Sequence, residues 1–225
     1  MSWATSREVR RASASAAGPV ERIRAEPSPL RAKLLLAGWL GAIGARVGFR
    51  PVVVGGTALD FYVAETLERS HPEGWLASLD LDVVSVSPGG VVPALPFLAA
   101  LEREGFVLER FEDADDLARF GRAVRHPALP IAIEVLPEPL TGSLDHLVEL
   151  EVDDYVVPLI APEDLIVKYA ESGAHFRHQR EWTRALALAR AQAGRLDLDY
   201  LRRRAEARGC RDEVERALRG EPLVR

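Results

Sequence analysis

"PVVVGGTALDFY", residues 51–62, runs a short apolar strand into two adjacent glycines and then into a helix-forming stretch. The valines are β-branched and contiguous, the pattern of a strand buried on both faces. Gly55-Gly56 lets the backbone turn through conformations closed to other residues and places N–H groups at the start of the next helix. Two readings fit: a tight turn, or a backbone that approaches an anion such as a phosphate. Thr57 either caps the helix or offers its hydroxyl to that anion. The stretch contains neither the G-x-x-x-x-G-K nor the G-x-G-x-x-G pattern.

The next strand carries the sharpest chemistry. In "SLDLDVVSV" side chains alternate between faces, so Asp80 and Asp82 share one face, with Leu79, Leu81 and Val83 on the other. Two close carboxylates repel unless a cation lies between them, and hard oxygen ligands favour Mg²⁺. The alternative is a strand with one wet face. "PIAIEVLP" adds a third acid, Glu134, in an otherwise apolar run, where a charge needs a partner. If that strand lies beside "LDLDVV", three carboxylates can hold two Mg²⁺ ions for in-line phosphoryl displacement, with the third acid accepting a proton.

Around these segments the pattern is α/β (α+β): a mixed β-sheet flanked by helices, followed by a C-terminal helical segment. Residues 1–28, rich in Ala, Ser, Arg and Pro, read as a flexible arm ending at "EPSP". Residues 29–160 form the α/β domain. It holds helices at 30–47, 57–69 and 94–105, and strands at "RPVVV", "SLDLDVVSV", "FVLERF", "RAVRH", "PIAIEVL", "LVELEV" and "YVVPLI". "SHPEGW" reads as a loop and "SPGG" as a turn. Residues 161–225 are helical throughout, from "PEDLIVKYAES" to "DEVERAL". The apolar stretch "LLLAGWLGAIGARVGF" falls short of the ~20 residues a spanning helix needs, and Arg31 and Lys33 precede it. It reads as a packed helix, with no membrane partner. A single cysteine, Cys210, excludes an intramolecular disulfide and fits the cytoplasm. The net charge of −5 divides into +4 over residues 1–34, −14 over 35–167 and +5 over 168–225. An acidic middle beside a basic end suits metal-binding carboxylates next to phosphate-binding cations, or simply solvated surfaces.

In order and spacing, "VVVGGTALDFY", "SLDLDVV" and "IAIEVLP" resemble the polymerase-β-type nucleotidyltransferase superfamily. With "EDLIVKYAESGAHFRHQREWTRAL" and "LDLDYLRRRAEARG", residues 50–215 are similar to small bacterial nucleotidyltransferases grouped with abortive-infection and toxin–antitoxin toxin enzymes. The resemblance implies transfer of a nucleoside monophosphate from an NTP to a hydroxyl acceptor, which could be RNA, a protein or a small molecule. It implies Gly55, Gly56 and Thr57 at the triphosphate, Asp80 and Asp82 as Mg²⁺ ligands with Glu134 as third acid, and Lys168 reaching a phosphate with Arg180 assisting. The chain departs from the family pattern at Leu76 and Ser78, where an Arg and a Thr are common, at Glu181 in place of Asp, and at Glu134 in place of the commoner Asp. The alternative is a catalytically degenerate module on the same fold. In that case the C-terminal arginines, Arg202, Arg203 and Arg204, would grip RNA or an antitoxin protein.

Overall fold

The structure is a computed structural model that describes residues 18–70, 80–86, 95–108, 122–136 and 142–223. "SHPEGW" from His71 onward, "SPGG", the second half of "FVLERF", and the departures at Leu76 and Ser78 lie outside the described residues.

Residues 1–17 of the expected flexible arm lie outside the described residues, and a short helix occupies part of the remainder. Pro19 starts α1 (Pro19–Ala25), Ile23 is buried, and Arg22 donates to Asp154 at 2.7 Å. A proline at the first helical position, one buried aliphatic and one charge anchor are enough to dock a two-turn helix. Helix α2 (Pro29–Ala45) follows, capped by the Ser28 hydroxyl. Its residues from Ala32 to Leu40 are all buried, the mark of a helix enclosed on every side.

Strand β1 (Arg50–Val53) leads into α3 (Gly55–Ser70). The glycines are therefore the first residues of the helix rather than a separate turn ahead of it. Then come β2 (Asp80–Val86), α4 (Leu95–Arg103), β3 (Val107–Leu108), β4 (Arg122–Arg125) and β5 (Ala132–Leu136). A 3₁₀ turn at Leu144–His146 precedes β6 (Val148–Val152) and β7 (Tyr155–Leu159). The chain ends in α5 (Pro162–His175), α6 (Gln179–Ala191), α7 (Leu198–Ala207) and α8 (Arg211–Leu218).

The seven strands form one mixed sheet in the order β3-β4-β5-β2-β1-β7-β6. β1 runs antiparallel to β2 and parallel to β7, while β2 runs parallel to β5. Val53 is the point where these strands line up, opposite Val83 on one side and Leu159 on the other. Beyond it β1 gives way to the glycines, while β2 still extends through Asp82 to Asp80. The end of the sheet thus exposes the start of β2 and β5 beside the start of α3. The opposite face of β2 and β5 is core: Leu81, Val83, Ile133 and Val135 are all fully buried or nearly so. Helix α2 packs on β1 and β7, and α3 on β2. The C-terminal helices close against α3, where the Gln192 side chain donates to the Tyr62 carbonyl at 2.6 Å.

Candidate active site

Strand alternation and register bring the three acids together. Asp80 and Asp82 lie two residues apart on β2, and Glu134 is the direct neighbour of Asp82 across the parallel pairing with β5. All three point to the same face, and each offers a carboxylate oxygen within 4.8 Å of the others. A Glu134 on the far side of the sheet would have broken the group. The chemistry of the cluster follows from its crowding. Burial, then the charge of Asp80, pushes the Asp82 carboxyl above the usual carboxylate range. Burial, then Asp82 and Asp80, does the same to Glu134, which shares a hydrogen bond with Asp82. Three hard oxygen donors this close fit a small divalent cation such as Mg²⁺ between them.

The glycine pair is built into the same cluster. Gly55 has φ +59, and a Cβ there would lie 2.0 Å from the Asp82 carboxylate. Both the backbone conformation and the space require glycine. The Gly56 N–H donates to Asp82 Oδ2 at 3.2 Å, so the helix start faces the acids and helps hold one of them. Thr57 is fully buried, and its hydroxyl donates to the Asp80 backbone carbonyl at 3.0 Å. That contact ties α3 to β2.

Lys168 on α5 is half-buried, with its ammonium 6.0 Å from the centroid of the Tyr169 ring, and its charge favours the ionised form of Asp82. Arg180 is exposed on the first turn of α6, and the neighbouring Glu181 accepts from Arg184 at 2.7 Å. Two further charged residues belong to this region although the motifs do not include them. Lys33, 6% exposed, lies in the middle of the buried face of α2, and its ammonium is 3.7 Å from Asp60, 7% exposed on α3. Lys33 also favours the ionised form of Asp82. The signal for Asp60 was a charge inside the apolar helical pattern "TALDFYV", where burial demands a partner, whereas Lys33 stands at the head of "LLLAGWL".

The C-terminal arginines are largely spent within the protein. Arg202 pairs with Glu215 at 2.8 Å and Arg204 with Asp164 at 2.9 Å. Arg208, Arg211, Arg216 and Arg219 pair with Glu171, Glu206, Glu221 and Glu221. Within the stretch Arg202–Arg204, two of the three arginines are thus engaged by carboxylates of the same chain.

No protein-family model and no curated protein sequence matches the chain. Solved structures do. One is an antigenic nucleotidyltransferase-like protein from Paracoccidioides brasiliensis, with a TM-score of 0.52, 13% identity, and 87% of this chain and 94% of that one covered. The solution structure of the antibiotic-resistance factor ANT(2'')-Ia matches with a TM-score of 0.47, 12% identity, and 90% and 99% covered. The Megavirus polyadenylate synthase matches with a TM-score of 0.41, 16% identity, and 77% and 34% covered. Together with the mixed sheet and its flanking helices, the first of these likenesses establishes that the chain has a nucleotidyltransferase-like fold.

Proposed function

We propose that this chain is a nucleotidyltransferase that moves a nucleoside monophosphate from an NTP to a hydroxyl, releasing pyrophosphate, with Mg²⁺ as cofactor. The observation that carries the reading is the convergence of Asp80, Asp82 and Glu134 on one face, at the sheet end where the Gly55-Gly56 helix start lies. Asp80 and Asp82 would hold the Mg²⁺, with Glu134 completing the set for a second ion. When bound, Mg²⁺ would supply charge stabilisation to the transferring phosphoryl group and to the leaving pyrophosphate. The chain's own residues do the rest. The α3 N-terminus directs its amide dipoles at the site and favours the anionic triphosphate. Lys168 offers a cation to a phosphate from the other side of the cleft. Glu134, whose proton affinity its neighbours raise, suits the acceptance of the hydroxyl proton. Most of the rate enhancement would come from positioning and electrostatics.

The acceptor, whether RNA, a protein side chain or a small molecule, stays open in this reading, as does a toxin role with an antitoxin partner in the cytoplasm. The alternative is a degenerate module on the same fold; the internal pairing of Arg202 with Glu215 and of Arg204 with Asp164 favours the enzyme reading over it. No described helix is long and apolar enough to cross a membrane. The experiment is incubation of the protein with each of the four labelled NTPs, Mg²⁺ and total cell extract. We expect pyrophosphate release and one labelled acceptor class, both lost in Asp80→Asn and Asp82→Asn. No release from any NTP, or release equal in the variants, would overturn the assignment.

A further inference from the structure

The corner between α5 and α6 departs from the usual chemistry of a helix end. Helix α5 closes with the His178 N–H on the Gly173 carbonyl at 2.9 Å and the Arg177 N–H on the Ala174 carbonyl at 3.3 Å. In that pattern the residue that turns left-handed is usually glycine, and the next one makes an apolar contact back to the helix. Here the left-handed residue is Arg177, at φ +52, and the next is His178, opposite Gly173, which has no side chain to contact. Among the described residues Asp153 is the other non-glycine with positive φ, and ion pairs to Arg22 and Arg31 hold it. No such bond holds the Arg177 side chain among the described residues. Strain that local contacts do not offset points to a use. Phe176, the residue before the turn, is 70% exposed, and its ring meets His175 edge-on with centroids 4.6 Å apart. Every residue from His175 to Arg180 is exposed, and "SGAHFRHQR", residues 172–180, contains no acid. The flanking acids are engaged, Glu171 by Arg208 and Glu181 by Arg184, each at 2.7 Å. The corner is firmly seated: a Cβ on Gly173 would lie 2.7 Å from the backbone nitrogen of Trp182, which is fully buried.

We propose that this corner is a docking surface for single-stranded nucleic acid. A base stacks on the exposed ring of Phe176, and Arg177 and Arg180 meet the phosphates that flank it. Every base has a flat face, so the surface recognises an unpaired strand rather than a sequence, and a duplex, whose bases stay stacked, offers Phe176 no partner. This explains an arginine where glycine is easier: the turn sets a cation beside an outward ring. An acidic protein segment would meet the cations but leave the ring without a flat partner. Helix α5 begins at the end of the sheet that holds the acids, where the Ile160 N–H donates to the Val53 carbonyl at 2.9 Å. Its 14 residues span about 21 Å to the corner. Of the acceptor classes left open above, the corner favours nucleic acid. That step rests on the transfer reading, whereas the docking itself does not.

The test is fluorescence anisotropy with a labelled mixed-sequence RNA strand, a duplex of the same length and a polyglutamate peptide, in EDTA and at low salt. The proteins are wild type, Phe176→Ala, Phe176→Trp, Arg177→Gly and Asp82→Asn. Wild type should bind the strand in preference to the duplex, and more weakly as salt rises. Phe176→Ala should lose about tenfold or more in affinity, while Phe176→Trp keeps it. Arg177→Gly should lose about threefold or more, yet melt no lower than wild type, because glycine relieves the left-handed turn. A corner that only ends a helix predicts no change in affinity. No strand binding by wild type, or unchanged affinity in Phe176→Ala or Arg177→Gly, overturns the inference. So does duplex binding with the same loss in Phe176→Ala, or polyglutamate binding tighter than the strand and lost in that variant. Asp82→Asn should bind the strand like wild type; a strand that needs Asp82 sits in the cleft and not at the corner. If the strand binds but no NTP does, the transfer reading falls and the docking surface stands. If NTP binds and the strand does not, the docking surface alone is lost.

Discussion

At the scale of single residues, Gly55 and Asp82 are fitted to each other. Gly55→Ala would place a methyl 2.0 Å from the Asp82 carboxylate and force a side chain into φ +59. We expect a loss of about 2 kcal/mol or more, measured by urea unfolding, together with displacement of Asp82. The acids make a second prediction. Asp82 and Glu134 bind protons more tightly in the folded protein than in the unfolded chain. Stability therefore falls as pH rises from the ordinary carboxylate range through the raised values, and the full cost is felt above them. In EDTA, Asp82→Asn should be more stable than wild type at neutral pH, with the gap closing near about pH 4. A gap that widens on acidification would contradict the crowding of the cluster. Asp80, Asp82 and Glu134 were legible in the sequence because strand alternation assigns faces without knowledge of the fold. Lys33 was not, because a charge at the head of an apolar run reads as a flank until packing shows that the run begins earlier. For Thr57 the sequence left open a cap or an anion contact, and the structure shows the hydroxyl turned to the Asp80 carbonyl.

At the scale of elements, the segment before β6 is joined to the C-terminal helices through one buried carboxylate. The Asp164 side chain on α5 is 1% exposed. It accepts from Tyr200 Oη at 2.8 Å, Arg204 Nε at 2.9 Å and the Ser143 N–H at 3.2 Å. The His146 ring stacks on Tyr200 with centroids 3.6 Å apart. Val148 pairs with Leu159, so this junction lies at the same end of the sheet as the acids. Arg204→Met would leave the carboxylate without its cation and should cost about 3 kcal/mol, whereas Tyr200→Phe should cost about 1–2 kcal/mol, both read by thermal unfolding. Equal, negligible losses would show that Asp164 is solvated. The long helices and the hairpin of β6 and β7 were readable from periodicity and the Asp153-Asp154 turn. Helix α1 was not, because seven residues rich in charge carry too little periodicity to announce a helix that only docking stabilises.

At the scale of the molecule, the C-terminal helices are part of the fold's interior rather than an appendage. Trp182 is fully buried, its indole N–H donates to the Glu221 carbonyl, and α6 packs on α3. Trp182→Ala should cost about 3–5 kcal/mol, and the loss should be reported equally by far- and near-ultraviolet circular dichroism. Loss of the near-ultraviolet signal alone would mean that the helices unfold on their own. The sheet order was beyond reach of the sequence, since the β2–β5 and β1–β7 pairings join segments far apart in the chain and local periodicity does not encode them. Yet the β2–β5 pairing builds the acidic cluster, because it sets Glu134 beside Asp82. The central claim is that this assembled cleft binds a nucleotide through a divalent cation. Calorimetric titration of wild type and Asp82→Asn with each NTP, with Mg²⁺ and then with EDTA, tests it most directly. The account predicts binding of at least one NTP by wild type in Mg²⁺ alone, lost in EDTA and lost in the variant. Binding that survives both EDTA and Asp82→Asn, or no binding of any NTP, would contradict it.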